Sequence, residues 1–101
     1  MSLTFKLEAD CLVAEISGDI DHHSAAGLKE RIAREYTRAN TKNLELNFSG
    51  VSFMDSSGVG MVIGRYKDVT QHGGHMSVSG LSGEAERIFE LSGLHKIIKK
   101  K

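Results

Sequence analysis

The stretch Phe53-Met54-Asp55-Ser56-Ser57-Gly58-Val59-Gly60 sets an apolar strand end against two hydroxyls and then a glycine-punctuated helix. A helix N-terminus carries unpaired backbone N–H groups and the positive end of the helix dipole, so a serine there can accept a phosphate into a favourable field. Ser57 is the candidate phosphoacceptor. Asp55 is placed to cap the same helix by accepting the amide of Ser57 or Gly58.

Downstream, Val59, Val62, Ile63, Tyr66 and Val69 recur at helical spacing, and His72-Gly73-Gly74 stops the helix. Gly60 and Gly64 lie on that helix although each costs up to about 1 kcal/mol of propensity relative to alanine. Close approach of the sheet or a neighbouring element is the expected reason. Upstream, Leu44, Leu46 and Phe48 alternate with Glu45 and Asn47, which reads as a strand continued through Val51 and Phe53 to the Asp55 turn. Before it, Ala25, Leu28, Ile32, Tyr36 and Ala39 form the inner stripe of a helix with Asp21 as its expected N-cap.

Leu3, Phe5 and Leu7 alternate with polar residues, and Leu12 to Ile16 follows after Ala9-Asp10, so the two segments read as an antiparallel hairpin. At the other end, Met76, Val78 and Gly80 alternate with Ser77 and Ser79 in a further strand. Ser82 is expected to cap a short helix with inner face Ala85, Ile88 and Phe89. Gly93 ends it, and Leu94, Ile97 and Ile98 read as a short edge strand. The order β-β-α-β-α-β-α specifies an α/β fold: a mixed, mostly parallel sheet of four to five strands, antiparallel at the first, with helices mainly on one face. Loops after parallel strands converge at one edge, so residues 18–23 and 54–58 should be neighbours and form one docking surface.

With 101 residues, 40% hydrophobic and 26% charged, the chain suits a single domain spanning 1–101. Thirteen basic residues balance 13 acidic ones, so no overall field draws the chain to nucleic acid or an anionic membrane, and neither is an expected partner. Lys99-Lys100-Lys101 reads as a solvated, frayed end. Cys11 stands alone beside Leu12-Val13-Ala14, which makes it a small buried hydrophobe in a reducing compartment. The first residues carry no basic segment followed by an apolar one, and no run reaches the roughly 18 apolar residues of a spanning helix. A cytoplasmic location is expected.

Enzyme chemistry finds little support. Ser57, His22 or His23 and Asp55 could be assembled into a hydrolase triad, yet the Gly-x-Ser-x-Gly elbow is missing and a 101-residue sheet with short loops offers little pocket to exclude water. The histidines His22, His23, His72, His75 and His95 lack a Cys or Glu that would complete a compact metal set. Gly73-Gly74 follows a helix instead of opening one, so it is not a phosphate-cradling loop. The expectation is a binding module with no cofactor and no catalytic residue of its own.

The strings Gly18-Asp19-Ile20-Asp21-His22-His23, Ser52 to Gly60, Gly64-Arg65-Tyr66-Lys67 and Ser92-Gly93-Leu94-His95-Lys96-Ile97-Ile98 together resemble the anti-sigma factor antagonists, those of sporulation above all. The resemblance spans the whole chain in order and implies the STAS fold. It implies further that an anti-sigma factor, itself a serine kinase, binds the protein and phosphorylates Ser57, the second serine of Asp-Ser-Ser-Gly, while Ser56 is only its neighbour. By the same resemblance, the unphosphorylated form captures the kinase and frees the sigma factor, and a PPM-type phosphatase restores it. Asp21, His22, His23, Asp55, Ser56 and Gly58 then form or shape the kinase-binding edge. A STAS subunit of another phosphorylation-controlled complex is the alternative within binding modules. A weak hydrolase or nucleotide-binding enzyme is the alternative outside them.

Members of that family usually add a helix after the last strand, whereas this sequence stops at Lys101. The helix is therefore expected to be absent or trimmed, with Leu94, Ile97 or Ile98 left open to solvent.

Overall fold

Alternating apolar residues and a two-residue turn make the hairpin: β1 (Ser2–Glu8) pairs antiparallel with β2 (Cys11–Ser17), with Ser2 opposite Ser17 and Glu8 opposite Cys11. The turn holds Ala9 at φ 55, a left-handed value that a Cβ resists. From there the computed structural model, which describes residues 1–101, alternates helices and parallel strands. These are α1 (Ala25–Arg38), β3 (Asn43–Gly50), α2 (Ser56–Gln71), β4 (Met76–Ser79), α3 (Gly83–Leu91) and β5 (Lys99–Lys100), the last preceded by a 3-10 turn at Leu94–Lys96. The sheet has five strands in the order β1-β2-β3-β4-β5, parallel from β2 onward.

Strand alternation sorts the side chains into two layers. Leu12, Ala14 and Ile16 of β2, Leu44, Leu46 and Phe48 of β3, and Met76 and Val78 of β4 join residues of all three helices in one core cluster. The helices therefore cover a single face of the sheet. The other face carries the opposite parity, including Glu15, Glu45, Asn47, Ser77 and Ser79. No helix is long and apolar enough to cross a membrane.

Leu7 is 60% exposed, near the end of the edge strand β1. On α2 the buried stripe is rotated: Gly58, Met61, Val62, Arg65 and Val69 are buried, while Val59, Ile63 and Tyr66 are only half-buried. Arg65 is admitted to that stripe because its Nη1 lies 2.9 Å from Asp68 Oδ2, one turn along. A Cβ on Gly60 would meet nothing within 4 Å, so close packing accounts for Gly64, which lies under the Lys29 side chain of α1, but not for Gly60.

Ser82 occupies the N-cap position of α3 without a side-chain cap bond. Leu94, Ile97 and Ile98 do not form a strand: Leu94 and Ile98 are 2% and 1% exposed, and only Ile97, at 54%, faces solvent. The strand is formed by the lysines instead. Lys99 and Lys100 pair with Ser77 and Val78, the Lys101 amide donates to Val78 O at 2.7 Å, and Lys101 Nζ lies 3.0 Å from Glu45 Oε1. The run read as frayed is pinned by sheet bonds and by a carboxylate 8% exposed on the helix-free face.

Candidate switch site

Two loops meet where the parallel strands end. The Ile20 amide donates to Phe53 O at 3.0 Å and the Asp55 amide to Ile20 O at 3.1 Å, forming an isolated parallel bridge between Ile20 and Met54. Ile20 and Met54 are 0% and 2% exposed, so the bridge has an apolar underside that holds it to the core. Asp21 and Asp55 are the next residues along the two chains of the bridge, which brings their segments to one edge.

Asp55 caps α2, its Oδ1 accepting the Ser57 amide at 2.8 Å, and its carbonyl accepts the amides of Gly58 and Val59. Ser57 is thus the second residue of α2, half-buried in the first turn, with Ser56 exposed before it. Within the first turn itself there is no Asp or Glu, so the carboxylate nearest in sequence to an incoming anion is that of the capping Asp55. Gly58 is buried and presents no surface. A Cβ there would stand 2.3 Å from Met54 Cγ and 3.0 Å from Ile20 Cγ2, so Gly58 shapes the edge by letting α2 settle onto the bridge.

Regular helix in α1 begins only at Ala25, four residues beyond Asp21, with Ser24 at the N-cap position and no cap bond from its side chain. Asp21 instead caps the turn that leads in: its Oδ1 accepts the amides of His23 at 2.9 Å and Ser24 at 3.2 Å, and Ser24 Oγ takes the Asp21 amide in return. Partial desolvation pushes the Asp21 carboxyl up, but the two backbone donors outweigh it, and it titrates below the ordinary aspartate value. His22 and His23 are exposed beside it, their ring centroids 3.9 Å apart.

Asp21, His22, His23, Asp55, Ser56 and Ser57 therefore gather at one edge with Gly58 beneath them. A groove lined by Cys11, Asn43, Tyr66, His75 and Lys101 lies at the other edge, where the parallel strands begin. Cys11 is half-buried there, and desolvation followed by the charge of Glu45 pushes its thiol up, away from the reactive thiolate. Sequence reasoning missed two residues of the switch edge. Ile20 lies in a segment expected to be loop, although an isoleucine between two aspartates signals a buried point in a polar segment. Phe53 is expected to continue the strand toward Asp55, but the strand ends at Gly50 and the ring is 42% exposed.

The STAS domain family matches residues 3–101. The anti-sigma F factor antagonist of Paenibacillus polymyxa is 33% identical over 100 residues, covering 97% of this chain and 86% of that protein. The anti-sigma-B factor antagonist of Bacillus subtilis (strain 168) is 31% identical over 98 residues, covering 97% of this chain and 88% of that protein. Among solved structures, the unphosphorylated form of the anti-sigma factor antagonist SpoIIAA superposes with a TM-score of 0.83 at 26% identity, over 99% of this chain and 88% of that one. The phosphorylated form of the Bacillus cell fate determinant SpoIIAA gives a TM-score of 0.74 at 26% identity, over 99% of this chain and 91% of that one.

Proposed function

This chain belongs to the STAS domain family, and we infer that it is an anti-sigma factor antagonist whose binding is switched by phosphorylation of Ser57. The observation that carries the reading is the placement of Ser57 at the start of α2, its amide held by Asp55 and its loop locked to the Asp21 loop through the Ile20–Met54 bridge. Unphosphorylated, the edge binds an anti-sigma factor that is also a serine kinase, and the sigma factor is released. Asp21, His22, His23, Asp55 and Ser56 supply the contact surface, and Gly58 sets its shape. The transfer chemistry belongs to the partner, so the protein is a substrate and a binder, not an enzyme. A cytoplasmic location suits such a partner.

A phosphate brings about −1.5 to −2 charges at neutral pH. Next to Asp55 and Asp21 it raises a like-charge field at the docking edge. Two unit charges about 4 Å apart repel by about 1 kcal/mol in bulk water and about 4 at an effective dielectric of 20. Each ~1.4 kcal/mol is tenfold in affinity, which is enough to break a complex without refolding the domain. A PPM-type phosphatase would return the binding form.

The test is phosphorylation by the cognate kinase with ATP, read by peptide mass spectrometry. One phosphate on Ser57, and none on a Ser57→Ala variant, is expected. Modification centred on Ser56 would overturn the assignment.

A further inference from the structure

We propose that Phe53 is the anchor by which this edge holds its partner, and that the partner receives it in an apolar pocket bordered by basic groups. Phe5, Tyr36, Phe48, Tyr66 and Phe89 are all buried in the core or packed against it, whereas Phe53 is 42% exposed. Its outward course follows from its neighbours. Val51 and Met54 are 1% and 2% exposed and pin the loop inward on both sides, so Ser52 and Phe53 take the solvent side between them.

The backbone that carries the ring is already ordered. The Val51 amide donates to Phe48 O at 2.8 Å, and the Phe53 carbonyl accepts from Ile20 at 3.0 Å. Docking this ring would therefore freeze two side-chain torsions and little else, the low-entropy behaviour that makes aromatic residues effective anchors. An exposed aromatic held on a rigid loop three residues before a modified helix turn places apolar contact and charge switch within one footprint.

Charge defines what surrounds the pocket. The position of a Cβ on Gly83 is 3.7 Å from Ser52 O, which sets the start of α3 beside the Phe53 loop. Residues 18–23, 50–58 and 80–84, the three segments meeting here, contain Asp19, Asp21, Asp55 and Glu84 and no lysine or arginine of their own; Glu84 is paired with Arg87 at 3.2 Å, so the net negative charge rests on the three aspartates. A basic rim is the complement of such a border.

This inference rests on the docking role of the edge, and the experiment separates the two. Wild type, Phe53→Ala, Phe53→Leu and Ser57→Asp are titrated into the cognate anti-sigma serine kinase by calorimetry, and the first three are compared as phosphorylation substrates. Phe53→Ala should weaken binding by about tenfold or more and Phe53→Leu by less, with both variants folded by circular dichroism and melting well above the assay temperature. The loss should appear as a raised KM at constant kcat, because an anchor contributes equally to ground state and transition state. If Phe53→Ala binds like wild type while Ser57→Asp fails to bind, the anchor is wrong and the docking reading stands. If wild type itself does not bind the kinase, both fall. A dimer of the chain alone that dissociates on Phe53→Ala substitution would give the ring to a second copy and overturn the proposal.

Discussion

Asp55 Oδ1 holds the amide of Ser57 at 2.8 Å, so the cap of α2 and the fixed charge nearest in sequence to the acceptor hydroxyl are one carboxylate. The two roles separate by substitution. Asp55→Ala removes the capping oxygen and should cost about 1 kcal/mol of stability, whereas Asp55→Asn keeps an acceptor. Phosphorylated Ser57 should lower the melting temperature of wild type, because repulsion by Asp55 outweighs the helix dipole, and lower it less in Asp55→Asn. Equal shifts in calorimetric scans of the two phosphoproteins would remove Asp55 from the electrostatics.

Charge on residue 57 should by itself switch the edge off. Ser57→Asp is expected to bind the kinase at least about tenfold more weakly than Ser57→Ala, ~1.4 kcal/mol, with both variants folded. Calorimetry that finds equal affinities would argue that shape at the edge, and not charge, controls docking.

Asp21 is bound by two backbone donors, so its carboxylate is held in place for a basic group on the partner. Asp21→Asn retains a capping oxygen and should melt close to wild type, while kinase affinity drops and its dependence on salt flattens. Unchanged affinity at low and high salt alike would leave Asp21 as a cap of the lead-in turn only.

Gly58→Ala places a methyl group 2.3 Å from Met54 Cγ and 3.0 Å from Ile20 Cγ2. The thioether side chain can yield in part, so the expected loss is about 1–3 kcal/mol, measured by urea unfolding. Kinase affinity should fall as well, because the displaced bridge carries Asp21 and Asp55. A variant as stable as wild type would mean that α2 does not rest closely on the bridge.

The sheet face without helices makes its own prediction. Burial pushes the Glu45 carboxyl up, but Ser79 Oγ at 2.6 Å and Lys101 Nζ at 3.0 Å outweigh it and hold it below the ordinary glutamate value. A depressed carboxyl contributes stability that is complete above the unfolded value of about 4.3 and is lost as pH falls through the lower folded value. Glu45→Gln should therefore flatten the stability profile below about pH 4.3. An acid limb identical to wild type would show that other carboxylates control it.

What the sequence determined by itself is what depends on neighbours in the chain. Period-2 and period-3.6 patterns specified the hairpin, the alternation of helices and strands, and the inward residues of α1, since each residue's face follows from the spacing of its own element. The Asp55 cap was legible for the same reason, because donor and acceptor are two residues apart. The capping turn at Asp21 was half legible: the aspartate was found, but regular helix waits until Ala25, where the chain leaves the bridge and packs on the sheet.

Tertiary structure alone decided whatever joins distant segments. Ile20 pairs with Met54, Lys101 reaches Glu45 and the ring of Phe53 turns outward because each depends on where another strand or loop ends. Arg65 is buried for a like reason, since α2 is rotated to seat Gly58 on Ile20 and Met54, and its hydrophobic stripe follows that contact instead of the most apolar line of the sequence. Local pattern sets the energy of each element alone. The lowest-energy arrangement of the elements is set by close packing among side chains that the pattern does not bring together.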